Sequence, residues 1–132
     1  MTSPPDDQCI ERLRIPEGIR VRYLASSTPE VFASIERGVV FLMAWWSGPA
    51  RSAWSELKQL LLKADGECLL EVVVLDIDGM TGFENCTLGP TVAGAGETTW
   101  VRNGKVLTRE WMLWLGRPEL VKANTELLIQ ID

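Results

Sequence analysis

The residues of this chain whose types could do chemistry are three cysteines, one serine ahead of a glycine–proline pair, and two closely spaced aspartates. Cys9, Cys68 and Cys86 are odd in number and widely spaced, which fits neither a disulfide framework nor a four-cysteine zinc site. Because the chain has no histidine, it cannot form a Ser–His–Asp triad, a Cys–His dyad or a His-ligated metal site. Cys68 and Cys86 could still form a relocated redox pair, although ordinary buried or half-buried thiols are the commoner case. Cys9 is predicted to be exposed.

The serine and the aspartates each have a structural interpretation beside the chemical one. Ser47 could act as a nucleophile only if a base took its proton, and no imidazole is present, so its position ahead of a helix favours an N-cap. Asp76 and Asp78 could bind a cation, but carboxylates two residues apart at a strand end more often cap the next turn. We therefore expect no catalytic residue among them, no metal and no cofactor.

The charge balance restricts the partners. Thirteen basic residues against 18 acidic ones give a net charge of −5. The sequence has no basic stripe that could neutralise phosphates, so nucleic acid is not an expected partner. The N-terminus lacks the cationic and apolar regions of a secretory signal, and the longest apolar run, residues 39–46, is too short to cross a bilayer. We expect a cytoplasmic protein that does not bind membranes.

The elements that must position these residues follow from hydrophobic periodicity. One domain is expected over residues 15–132, after a polar, flexible tail at 1–14. Continuous apolar runs at 39–44 and 69–77 predict strands that are covered on both faces. Between them, apolar residues at steps of three and four predict an amphipathic helix over 50–64.

The flanking segments complete the predicted order. Alternation over residues 19–23 indicates a half-exposed strand, and Thr28-Pro29-Glu30 opens a helix that is predicted to stop at Gly38. The pattern is weak from Asp78 to Gly96, with one short helix near Met80–Cys86. Asn103-Gly104 separates two strand-like runs and predicts a β-hairpin, and a last helix opens at Pro118-Glu119. The order β-α-β-α-β-(α)-β-β-α predicts an α/β fold.

One segment carries a family resemblance. Trp46-Ser47-Gly48-Pro49-Ala50-Arg51 resembles the thioredoxin motif Trp-Cys-Gly-Pro-Cys-Lys/Arg with both cysteines replaced. Leu75-Asp76-Ile77-Asp78 is similar to the end of that family's third strand, and Arg102-Asn103-Gly104-Lys105 to its hairpin turn. The resemblance covers residues 19–131. It implies a thioredoxin-like three-layer α/β/α sandwich with a mixed central sheet, a C-terminal β-hairpin and a final helix.

The positions that do the family's thiol chemistry have changed. Ser47 and Ala50 stand where the resemblance places the two cysteines, so no thiolate can form at the helix N-terminus. Phe41 stands at the position of the family's buried carboxylate, and Val74 at that of its lysine neighbour. The resemblance therefore implies a degenerate active site and a redox-inactive protein.

The proline before the fourth strand, which is cis in the family, is also missing from its expected place. Counting back from Asn103-Gly104 places Gly96 there, or Glu97 with one deletion. A second register would keep a Pro90-Thr91 pair, but it leaves Asn103-Gly104 without a hairpin to turn.

Family members without the cysteine pair act as chaperones, assembly factors or scaffolds, which implies a protein-binding module here. An extended peptide would lie beside the loop before the fourth strand and make main-chain hydrogen bonds there. The acidic charge favours a basic protein or peptide partner, as for an inhibitor or immunity-type protein. The predicted binding groove consists of Trp45, Trp46, Ser47, Gly48, Pro49, Ala50, Gly96 and Glu97. Two alternatives remain: a divergent thiol oxidoreductase using Cys68 or Cys86, and a homodimeric interaction protein.

Six tryptophans are the main clue to what replaced the thiols. Trp54 lies on the apolar stripe of its helix and is predicted to be core. We expect Trp45 or Trp46 to be partly exposed, because both stand at the rim where the family binds peptides. Trp100 could face the core or the surface, and Trp111 and Trp114 lie between the hairpin and the last helix.

Overall fold

The computed structural model describes residues 6–84, 94–110 and 116–131. Their elements are α1 (Asp6–Leu13), β1 (Arg20–Leu24), a 3-10 helix (Pro29–Ser34), β2 (Arg37–Met43), α2 (Gly48–Ala64), β3 (Glu71–Asp76), a second 3-10 helix (Ile77–Gly79), β4 (Thr98–Arg102), β5 (Lys105–Glu110) and α3 (Pro118–Gln130). No helix among these residues is long and apolar enough to cross a lipid bilayer.

A mixed five-stranded sheet of order β1-β3-β2-β4-β5 forms the centre of the fold. β3 pairs in parallel with both β1 and β2, whereas β4 runs antiparallel to β2 and to β5. β2 and β3 are therefore central strands, and buried clusters cover both of their faces, which explains why their sequences are continuous apolar runs. The predicted α/β class and the parallel-then-hairpin sheet are confirmed.

The three α-helices cover one face of the sheet. Alternate residues of β2 and β3 point towards α2, and each buried aliphatic or aromatic side chain contributes about 1.5–3 kcal/mol of hydrophobic stabilisation. The buried apolar sheet residues on this face are Val39, Phe41, Met43, Val72, Val74 and Trp100. Trp100 is thereby a core residue, and its indole N–H donates to the Thr125 hydroxyl of α3 at 3.1 Å.

The opposite face is covered by shorter elements. Phe32 of the first 3-10 helix and Phe83 meet edge to face, with ring centroids 6.5 Å apart, over the other set of β2 and β3 side chains. The α-helix predicted from Thr28 to Gly38 is therefore wrong: the segment forms one 3-10 helix, and Thr28 makes no side-chain cap. Gly38 is a residue of β2, where a Cβ would lie 2.6 Å from the carbonyl oxygen of Glu71. The glycine therefore allows β2 to approach β3 closely, and it does not mark the end of a helix as the sequence pattern predicts.

The N-terminal segment also differs from the sequence prediction. Residues 6–13, which lie inside the predicted flexible tail, form α1. Cys9 and Leu13 are completely buried in the helical face of the core, so the expected exposure of Cys9 is wrong. The polar composition of 1–14 conceals one apolar helix side, because Cys9 and Leu13 are spaced i, i+4.

The turn between β4 and β5 matches its sequence signal. Asn103 (φ 50°) and Gly104 (φ 78°) both occupy the left-handed region, as a two-residue hairpin turn requires. α2 spans Gly48–Ala64, close to the predicted 50–64, and Asp65 follows as its C-cap. The Asp65 carboxylate then accepts from the N–H groups of Leu69 (2.8 Å) and Leu70 (2.9 Å), which leads the chain into β3.

Candidate functional site

Ser47 is the N-cap of α2, as the sequence predicts. Its hydroxyl oxygen accepts from the N–H of Ala50 at 3.3 Å, and its O–H donates to the carbonyl of Gly94 at 2.7 Å. The side chain is 8% exposed. Both hydrogen-bonding functions of the hydroxyl are thus used, one to cap the helix and one to tie α2 to the loop before β4. This geometry supports a structural serine and offers no activated nucleophile.

The other positions of the family's thiol chemistry lie in the core. Ala50, Phe41 and Val74 are each completely buried. The ring of Phe41 packs against Trp54 at a centroid distance of 5.4 Å. A carboxylate or an ammonium in this environment would have to give up its hydration without a partner, so these apolar residues form a packed interior that does not favour a charged group.

The adjacent indoles Trp45 and Trp46 have different surroundings. Trp46 is 43% exposed, which confirms that one of the two is partly exposed, whereas Trp45 is 9% exposed. Trp46 lies over Gly94, where a Cβ would come within 2.9 Å of its Cη2 atom. The Trp45 indole N–H donates to the Tyr23 hydroxyl at 3.2 Å, and the two rings meet edge to face with centroids 6.2 Å apart. Trp46 is therefore the aromatic side chain of this pair that is exposed to solvent.

Tyr23 of β1 holds Trp45 in place, and Asp76 at the end of β3 holds Tyr23 in turn. The Tyr23 hydroxyl donates to Oδ2 of Asp76 at 3.2 Å. Burial, and then the hydrogen bond with the Cys9 thiol, raises the pKa of Tyr23, so the phenol stays neutral and can donate. Oδ1 of Asp76 accepts from the N–H of Asp78 at 3.0 Å, which confirms the capping interpretation of this pair.

The loop before β4 brings Gly96 and Glu97 beside α2. Gly96 has φ +79°, which proline cannot adopt, and a Cβ there would collide with the Cβ of Ala53. Oε1 of the buried Glu97 accepts from the N–H of Ala95 at 2.7 Å, and its backbone carbonyl accepts from Leu42 at 3.0 Å. Oε2 of Glu97 has no hydrogen-bond partner among the residues that the structure describes. No peptide bond of the described residues is cis, and Pro90 lies outside them.

The predicted site residues are brought together in part. Trp46, Gly48 and Pro49 are exposed on one surface, whereas Trp45, Ser47, Ala50, Gly96 and Glu97 are buried beneath or beside it. The sequence prediction missed Gly94, which contacts both Ser47 and Trp46, although the glycine-rich run at 94–96 was a signal of close backbone approach.

The remaining candidates have no visible role in this site. Cys68 is half-buried in the turn after α2, where its N–H donates to the Asp65 carbonyl at 3.0 Å. Cys86, Trp111 and Trp114 lie outside the described residues. Within the described part of the chain, no three Cys, Asp or Glu side chains converge as they would around a metal ion.

Comparisons with known proteins find solved structures with a similar fold but little sequence identity to this chain. No protein-family model and no curated protein matches the sequence. A mutant thioredoxin from Halobacterium salinarum superposes with a TM-score of 0.60 at 13% identity, over 86% of this chain and 94% of that one. The thioredoxin of Trypanosoma brucei brucei gives 0.57 at 14% identity, over 83% and 96%. A chain from a structural study of thiol resolution in yeast mitochondrial 1-Cys peroxiredoxin gives 0.59 at 14%, over 80% and 93%.

Proposed function

Because the chain has a thioredoxin-like fold whose motif carries no cysteine, we propose that it is a redox-inactive protein-binding module of the chaperone, assembly-factor or inhibitor type. The observation that carries this proposal is Trp46, which is 43% exposed directly beside a serine that is fixed as a helix cap. The position that would attack a disulfide in the family is occupied by a hydroxyl with both hydrogen bonds used, and the neighbouring aromatic side chain is free to contact a partner.

Trp46 has the properties of an interface anchor. Aromatic side chains bury a large area at a small entropic cost, and they dominate the binding energy of many interfaces. Here the indole rests on Gly94, and the exposed Gly48 and Pro49 extend the surface beside it. The proline and the Ser47 cap hold this surface rigid, so that little conformational entropy is lost on binding.

The loop before β4 offers a partner peptide fewer unpaired main-chain groups than the resemblance to the family implies. The carbonyl of Gly94 already accepts from Ser47, and the N–H of Ala95 already donates to Glu97. A partner would therefore rely on side-chain contacts with Trp46 more than on strand addition along this loop. The net charge of −5 favours a basic partner.

Position-specific photo-crosslinking tests this function. Trp46 is replaced by benzoylphenylalanine in the protein expressed in its own cells, and irradiation is expected to link it to one protein species. Excess wild-type protein should compete with this adduct, whereas a Trp46→Ala competitor should be about 30-fold weaker, which corresponds to an interface anchor of about 2 kcal/mol.

Leu127 supplies the matched control. It is 48% exposed on α3, so benzoylphenylalanine at this position samples a surface of similar accessibility and apolar character. The same adduct from residue 127, or equal competition by wild-type protein and Trp46→Ala, would contradict binding through the Trp46 surface.

A further inference from the structure

A cationic cavity lies between the end of α1 and one side of α2. Its volume is about 360 Å³, which is in the range of small-molecule sites. Four basic side chains surround it, together with two indoles, a methionine and a serine. The lining residues are Arg12, Arg14, Met43, Trp45, Arg51, Trp54, Ser55 and Lys58.

The backbone at the end of α1 is anchored to α2. Arg14 closes the helix in a left-handed conformation (φ 49°), with its N–H donating to the carbonyl of Glu11 at 3.1 Å. The carbonyl of Leu13 then accepts from the indole N–H of Trp54 at 2.8 Å and from Nζ of Lys58 at 2.9 Å. Nζ of Lys58 also donates to the carbonyl of Arg14 at 3.2 Å. These bonds fix the position of the chain that carries Arg12 and Arg14.

α2 supplies the opposite wall. Arg51, Ser55 and Lys58 are spaced i, i+4 and i+7, so they share one helix face. Nε of Arg51 donates to the carbonyl of Ser47 at 3.3 Å, which leaves its terminal nitrogens available. The first turn of α2 contains no acidic residue, so the positive end of the helix dipole adds to the charge of Arg51.

The cluster carries four positive charges with no carboxylate in its lining, in a chain whose net charge is −5. Among the described side chains, the ion pairs are Arg22–Glu71 and Arg102–Glu36, neither of which involves this cavity. Burial, and then the nearby Arg14, lowers the pKa of Lys58. The mutual repulsion of these cations disfavours the empty cavity and would be relieved by a bound anion.

We propose that this cavity is a binding site for a small organic phosphate monoester. Guanidinium groups recognise phosphate oxygens through paired hydrogen bonds, and a monoester carries close to two negative charges at neutral pH. Lys58 has three N–H donors and uses two of them on backbone carbonyls, so one remains for a phosphate oxygen. The edges of Met43, Trp45 and Trp54 that reach the cavity form an apolar wall for the organic part of the ligand, with Trp45 the most exposed of the three.

The test is calorimetric titration of the purified protein with phenyl phosphate, inorganic phosphate and succinate at matched ionic strength. Saturable binding of phenyl phosphate is expected, tighter than that of inorganic phosphate because of the apolar wall and tighter than that of succinate because of the guanidinium arrangement. Arg14→Gln and Arg51→Gln should each weaken it about 10-fold, whereas the exposed and distant Lys105→Gln should not change it.

A second measurement needs no variant. In the wild-type protein, phenyl phosphate should shift the indole N–H resonances of Trp45 and Trp54 and leave that of Trp46 in place. Absence of saturable binding, or unchanged affinity in the Arg14→Gln/Arg51→Gln protein, would overturn the site. If inorganic phosphate bound as tightly as phenyl phosphate, the proposed preference for a monoester would be wrong. If succinate bound as tightly as phenyl phosphate, the proposed preference for a phosphate group would be wrong. None of these outcomes depends on the Trp46 surface, so failure of this site would leave the proposed function untouched, and the reverse also holds.

Discussion

Replacing Phe41 with aspartate, the type of residue that the resemblance to thioredoxins would place at this position, is expected to leave the protein largely unfolded at 25 °C. Phe41 is completely buried against Trp54. Losing a buried aromatic side chain costs about 3–5 kcal/mol, and an unpaired buried carboxylate adds several more. The sum approaches the whole free energy of unfolding of a typical domain, about 5–15 kcal/mol.

Phe41→Leu is the matched control, because it removes the ring without adding charge. It should cost about 1–2 kcal/mol and keep a cooperative urea transition. Both variants can be followed by circular dichroism during urea denaturation. A Phe41→Asp protein as stable as Phe41→Leu would contradict the assignment of this position to a packed, apolar interior.

The second large effect is expected for Trp54→Ala, which should lower the free energy of unfolding by about 3–5 kcal/mol. Trp54 is 3% exposed, packs on Phe41, and donates its indole N–H to the carbonyl of Leu13. Its removal therefore leaves a cavity between α2 and the sheet and loosens the attachment of α1. Urea denaturation of the purified variants measures the change.

Trp46→Ala is the contrasting variant, since the same residue type is truncated at an exposed position. It should change the free energy of unfolding by less than about 1 kcal/mol. Trp54→Phe should fall between them, at about 1–2 kcal/mol, because it keeps an aromatic ring and loses the hydrogen bond. If Trp46→Ala were as destabilising as Trp54→Ala, Trp46 would be a core residue, and its proposed role as an anchor would fail.

Local signals explain why much of this fold can be predicted from the sequence. A few neighbouring residues are enough to predict the apolar stripe of α2, the apolar runs of β2 and β3, and the Asn103-Gly104 turn. The Ser47 cap follows from the same kind of signal, because its partner Ala50 is three residues away. Features of this kind do not depend on distant parts of the chain.

The failures concern long-range packing. Within residues 1–14, the i, i+4 spacing of Cys9 and Leu13 is a weak local signal, and it does not show that these side chains join α2 and the sheet in the core. The 3-10 helix at Pro29–Ser34 has the cap residue, proline and acid of an α-helix start, but β1 and β2 leave only a short connection between them. The cationic cavity joins Arg12 and Arg14 with residues about 40 positions away, which composition and net charge cannot reveal.

The tryptophans illustrate the same division. Periodicity correctly assigns Trp54 to the core, because a helix face is a local property. It cannot separate Trp45 from Trp46, since adjacent residues differ only through what surrounds them. In the structure, the Trp45 indole is buried and hydrogen-bonded to the Tyr23 hydroxyl, whereas the Trp46 indole lies at the surface over Gly94, which has no side chain.

The central claim, a thioredoxin-like scaffold without thiol chemistry at its motif, is tested most directly by reduction of insulin disulfides with dithiothreitol. The turbidity of the precipitating B chain gives the rate, and a thioredoxin measured in parallel serves as the positive control. The wild-type protein is expected to leave the rate at its uncatalysed value, because Ser47 is a hydrogen-bonded cap and Ala50 has no thiol. Acceleration of the reaction that disappears in Cys68→Ser or Cys86→Ser would contradict this account.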